Sequence, residues 1–262
     1  LAYAATREAR YATALAEWIR AVVRQRTWML GAHDPKLQTF KGVKAYVDLH
    51  AATLVHELAL VLTLSGPDWE PDLQAEAREA IRVRALDPVL KSLQGEDKAH
   101  WWLGSPYNWI AVCLSGIAGA AMALEPDPGR LRALADGCAR GGLSYLDSYG
   151  EDGYCEEGIS YWNYGFSHYL CLRHTLLGAS SGRVDLMKPA KALAAARFGQ
   201  AVAMADGQLP EGTELLFVRT EVLRGTDTPE EIFELVDPTR SVPRAPDDVV
   251  VAQRPLPESI TA

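Results

Sequence analysis

Apolar residues recur every three or four positions along most of the first two hundred residues, the spacing that gives a helix one buried face. The stretch AATREARYATALAEWIRAVVRQR (4–26) predicts a first helix rich in Ala and Arg. GVKAYVDLHAATLVHELALVLTLSG (42–66) predicts a second, stopped by Gly66-Pro67. DLQAEAREAIRVRALDPVLKSLQ (72–94) predicts a third, divided near Asp87-Pro88. A fourth follows in SPYNWIAVCLSGIAGAAMALE (105–125), with Ser105 as N-cap and Pro106 at the first helical position. A fifth covers 129–150 and is weakened by its glycines, a sixth covers 158–178, and a seventh covers 185–205. The links are short and rich in Gly and Pro, as between antiparallel helix pairs. The fold class expected is all-α for most of the chain, as a stack or ring of helical hairpins.

The pattern changes after Asp206. TELLFVRTEVL (213–223) and DDVVVAQR (247–254) read as short strands, TPEEIFELV (228–236) as a short helix between them, and proline becomes frequent. Two strands are too few for an independent sheet. The division expected is a helical domain over 1–205 and, over 206–262, a linker leading into a β-rich region that continues beyond the chain.

Composition narrows the function. Of the 262 residues 48% are hydrophobic and 23% charged, enough for an ordinary core. The net charge of −8 and the absence of a basic run argue against nucleic acid and an anionic membrane surface as partners. No stretch approaches the ~18 apolar residues of a membrane span. No secretory leader is evident, so the chain reads as a mature chain or a fragment. Cys113, Cys138, Cys155 and Cys171 lack CxxC spacing, which predicts free, mostly buried thiols and no metal site. No phosphate-binding loop, dinucleotide fingerprint or nucleophile elbow occurs, and no cofactor is expected.

Two stretches carry chemistry-bearing residues. In AHWWLGSPYNWIAV, Asn108 falls in the first turn of a helix, where unpaired N–H groups favour an anion. A neutral amide there either supports the cap or donates to a ligand carboxylate. Trp101, Trp102 and Trp109 are core residues or flat platforms for sugar rings. In DGYCEEGISYWNYG, Glu156 and Glu157 sit where negative charge suits a helix start. Glu157, Tyr161, Tyr164 and His168 share one helix face, while Trp162, Phe166 and Tyr169 suit the core. A tyrosine-lined interior and a proton-transfer stripe both account for that face. His50 and His56 share no face and lack the spacing of a zinc site.

Together, SPYNWIAV and, some forty residues later, DGYCEEGISYWNYG resemble the heparinase II/III-like polysaccharide lyases, most clearly between about Tyr46 and Leu177. The resemblance implies an α/α toroid, an incomplete barrel of helical hairpins, followed by an antiparallel β-sandwich. It implies a bacterial, periplasmic or secreted protein acting on an acidic polysaccharide or oligosaccharide, and it admits a homo-oligomer. It implies β-elimination at a uronic acid. The C5 proton becomes acidic enough to remove only when the neighbouring carboxylate is neutralised, and O4 leaves on protonation. Carried over by position, Asn108 neutralises the carboxylate and Tyr161 or Tyr164 transfers protons, provided surroundings lower a phenol pKa that is ordinarily ~10. Glu157 and His168 join the tryptophans as substrate contacts. The pattern departs from the family at Trp109, where active members often carry a histidine, and in lacking the histidine of a β-domain. Two other readings remain: a non-catalytic carbohydrate-binding toroid, and another toroid enzyme such as an unsaturated-uronide hydrolase, which needs two flanking carboxyls.

Overall fold

The computed structural model describes residues 2–65, 69–202, 214–222 and 229–236. It is mostly helical. The chain divides into two units, residues 1–199 and 200–262.

The first predicted helix is two. α1 (Ala2–Thr6) ends at Arg7, whose φ of 58° breaks the helical path, and α2 (Ala9–Val23) resumes beyond it. α2 buries Ile19, Val22 and Val23. Trp28 packs beneath its end, donating from Nε1 to the Val22 carbonyl at 2.9 Å. The second helix is shorter than its apolar pattern implied. α3 (Leu49–Ser65) starts where Asp48 accepts from the Ala51 amide at 2.8 Å, an N-cap inside the expected helix. Gly66-Pro67 lies outside the described residues.

The third predicted helix is continuous but altered at its middle. α4 (Pro71–Ile81) passes through a π-helical turn (Arg82–Leu86) into α5 (Asp87–Leu93). Pro88 has no N–H to give the preceding turn, and the widened turn absorbs that lost bond.

α6 (Asn108–Leu124) is the hub. It is buried on almost every side, and packs against α3, α7 (Pro128–Tyr145) and α8 (Gly158–Ala179). Small residues make this close packing feasible. A β-carbon on Gly116 would collide with the Ala52 carbonyl of α3, and one on Gly119 with the His56 ring. The glycines of α7 mark close approaches: Gly137 to Leu93, Gly141 to Leu114 and Gly142 to Leu172. Asp127 caps α7 by accepting from the Arg130 amide at 2.7 Å. Burial of Ile110, Leu114, Ile117, Leu134 and Leu172 contributes about 1.5–3 kcal/mol per side chain.

A short bridge between Tyr149 and Cys155 closes the turn before α8. Gly153, with φ of 86°, lies where any side chain would meet the backbone of α9 (Ala190–Val202). Trp162 of α8 donates from Nε1 to the Ala195 carbonyl at 2.8 Å, and Phe166 and Tyr169 are buried. Cys113, Cys138 and Cys155 are buried free thiols and Cys171 is an exposed one.

In the second unit, β1 (Glu214–Val222) pairs antiparallel with β2 (Pro229–Val236), with an irregularity between Phe217 and Arg219. The expected helix at TPEEIFELV is therefore corrected to a strand. Its Ile, Phe, Leu and Val residues suit either period, and the neighbouring strand decides the outcome. The expected strand at 247–254 lies outside the described residues.

Candidate functional site

The two motifs meet at the first turn of α6. Its start is not set by Ser105 and Pro106 as expected. Residues Trp101–Gly104 form a separate 3₁₀ turn, and Tyr107, whose side chain makes no cap, precedes Asn108. The cap comes from α8 instead. Glu157 accepts from the Asn108 amide nitrogen Nδ2 through Oε1 at 3.2 Å, and from its backbone N–H through Oε2 at 3.4 Å. A carboxylate thus occupies the positive end of the most buried helix, satisfying one of its orphan donors. Asn108 is buried, and Gly165 lets α8 approach it, since a β-carbon there would strike both Asn108 and the Tyr145 hydroxyl.

Of the predicted stripe, Glu157 and His168 meet α6, while Tyr161 and Tyr164 keep exposed surface. Two turns along α6 from Asn108, the Ser115 hydroxyl donates to the Val112 carbonyl at 3.0 Å, and the Nδ1–H of His168 donates to Ser115 at 3.0 Å. Burial, aided by His56, holds His168 below its ordinary pKa. The Tyr164 ring stands edge-on to His168, with centroids 5.1 Å apart. Burial raises the Tyr164 phenol and the nearby Cys113 adds to the effect. Tyr164 therefore favours holding its proton, the opposite of the lowered phenol that a base requires. Tyr161 is 55% exposed. A second tyrosine pair lies deeper: Tyr145 and Tyr149 share a hydrogen bond of 2.6 Å, and burial raises both phenols.

The three tryptophans separate. Trp102 is fully buried and donates to the Val47 carbonyl at 2.8 Å, so it is part of the core and presents no face to a ligand. Trp101 is 55% exposed, and its ring centre lies 5.0 Å from that of half-buried Trp109. On its other side Trp109 meets the edge of His33 at 4.8 Å. His33 donates from Nδ1 to Asp48 at 2.6 Å, and Asp48 also accepts from the Leu30 amide at 3.0 Å. This His–Asp pair was missed by sequence reasoning. The available signal was an aspartate one residue ahead of an apolar helix, the mark of a cap.

His100 differs from His33. It is buried, accepts from the Val47 amide through Nε2 at 3.1 Å, and donates from Nδ1 to Ser92 at 2.8 Å. Burial lowers its pKa to about 4, so the ring is neutral. Arg173 is held by both oxygens of Asp185. Among the described residues no group of three His, Cys, Asp or Glu side chains could hold a metal ion. No helix among them is long and apolar enough to cross a membrane.

No family model matches the sequence, and no curated protein matches it.

Proposed function

We propose that this chain is the helical part of a polysaccharide lyase that cleaves a uronic-acid-containing polymer by β-elimination. The observation that carries the reading is the hydrogen-bonded pair of Asn108 and Glu157, which joins two motifs 49 residues apart at one helix start. The amide is buried, uncharged and at the positive end of α6, which suits it to stabilise an enolate-like carboxylate. Tyr161 takes the role of base, since it is exposed and lies in the first turn of α8, whose N-cap is Glu157. Tyr164, whose phenol is raised, suits the acid that protonates the leaving O4. The short α6–α7 connection and the packing of α6 among α3, α7 and α8 are compatible with an α/α toroid of helical hairpins. The acidic polysaccharide as partner, the bacterial source and the periplasmic or secreted setting belong to the same proposal.

The test incubates the protein with a panel of uronate polymers in deuterated buffer. Ultraviolet absorbance reports unsaturated ends, and proton NMR reports exchange at C5. At least one polymer yields unsaturated ends, and Asn108→Ala slows their formation by about 10²–10³. Folded protein that gives neither product nor exchange on any polymer overturns the reading.

A second reading, a non-catalytic saccharide-binding domain, is favoured by the Trp101–Trp109 platform and by Trp109 where active lyases often have histidine. It predicts saccharide binding that requires Trp101, with no exchange at C5.

A further inference from the structure

Beside the Trp101–Trp109–His33 wall lies a pocket of about 230 Å³ that the elimination chemistry does not use. It is smaller than the ~300–1,000 Å³ usual for drug-sized ligands, so it suits a single ring. Its lining includes Lys36, Gln38 and Lys44 as polar groups, with Tyr46 and Trp101 as aromatic walls. Lys36 and Lys44 are exposed, and among the described residues neither is in an ion pair. Asp34 also lines the pocket, but its two oxygens are taken. Oδ1 accepts from the Gln38 amide at 2.8 Å, and Oδ2 accepts from Thr39 backbone and hydroxyl at 2.7 and 2.6 Å. Two lysines against one internally satisfied aspartate leave a cationic lining in a protein of net charge −8.

We infer that this pocket binds one acidic sugar unit of a chain that extends past Asn108. The inference rests on the elimination reading above and deepens it by naming where the neighbouring unit sits. The exposed face of Trp101 covers the apolar face of a pyranose ring. The lysines meet the carboxylate as mobile point charges, and Gln38 supplies a neutral donor and acceptor for ring hydroxyls. Trp101 touches both the pocket and Trp109, the neighbour of Asn108, so it is the partition between the two positions. A cationic pocket also removes the mismatch between an acidic protein and an acidic polymer: the charge is local, and salt weakens it.

The experiment is calorimetry on the full chain with a uronate trisaccharide and its carboxyl-reduced neutral counterpart. Circular dichroism checks the fold of each variant. The expected result is acidic saccharide bound about tenfold tighter than neutral, a difference of roughly 1.4 kcal/mol. The double variant Lys36→Ala/Lys44→Ala abolishes that preference while keeping neutral binding. Trp101→Ala weakens both saccharides. A wild-type protein that binds neither, a double variant that keeps the acidic preference, or a Trp101→Ala protein that binds as wild type each overturns the subsite. Absorbance of unsaturated ends on the same samples separates the two proposals. Lost preference without any product leaves the subsite standing and removes the lyase. Product with preference intact in the double variant does the reverse.

Discussion

The seam between α3 and α6 and the mouth at the start of α6 lie along one helix, yet they obey opposite constraints. At the seam, Gly116 and Gly119 leave no room for one added carbon beside the Ala52 carbonyl and the His56 ring. At the mouth, Asn108 is buried but polar, and Trp101, Tyr107 and Tyr161 stand in solvent around it. A chain that needed only a core would continue the seam to the helix end. The mouth instead keeps large aromatic rings exposed, at an unfavourable hydration cost, where a flat ligand would cover them.

The contrast can be broken at the seam first. Gly116→Val drives a branched side chain into the Ala52 backbone and costs about 3 kcal/mol or more, read as a shift in the urea midpoint. If Gly116→Val unfolds like the parent, the seam is not as tight as its geometry requires. The next effect belongs to a histidine held in the core. His100 is depressed to about 4, so the unfolded chain takes up the proton first as the pH falls. Its contribution is complete above about pH 6.5 and is lost between there and about pH 4, worth roughly 3 kcal/mol. Urea titrations at several pH values check the slope, and replacing His100 with Gln removes that part of it.

At the mouth the stability effects are smaller. Glu157→Ala leaves two donors of Asn108 unsatisfied and costs about 2 kcal/mol, while Glu157→Gln, which keeps one acceptor, costs less. Thermal unfolding of the two variants measures the order. Tyr161→Phe and Trp101→Ala change stability by only about 0.5 kcal/mol or less, because both side chains are exposed. Under the proposed elimination, Tyr161→Phe lowers the rate of unsaturated-product formation by about 10²-fold or more. A Tyr161→Phe protein that turns over normally moves the proton transfer elsewhere.

The helices were legible because burial on one face imposes a period on the sequence. Their ends were less so, for a physical reason. Ser105-Pro106 carries every local signal of a helix start, yet α6 begins at Asn108, where its hydrogen-bond partner is a carboxylate from another helix. β2 was read as a helix because its apolar residues fit both periods, and only its pairing with β1 distinguishes them. The stripe on α8 was visible in the spacing, and so was its division from the Trp162–Phe166–Tyr169 face. What spacing could not give was the exposure that separates Trp101 from Trp102, or the packing of Tyr164, itself 39% exposed, against His168. Of the His33–Asp48 pair only Asp48 carried a signal, as a cap ahead of an apolar helix, because its partner lies across a loop whose residues have no periodicity to read.

Glu157 at Asn108 has one more consequence. A carboxylate arriving from solution finds the amide already serving an identical group that is tethered in place and never diffuses away. The incoming group must therefore outcompete an internal rival at high effective concentration. Under the proposed function, binding is an exchange in which the ligand carboxylate competes with Glu157 for the helix end. A weak apparent affinity and a lasting link between α6 and α8 are then two faces of one hydrogen-bonded pair.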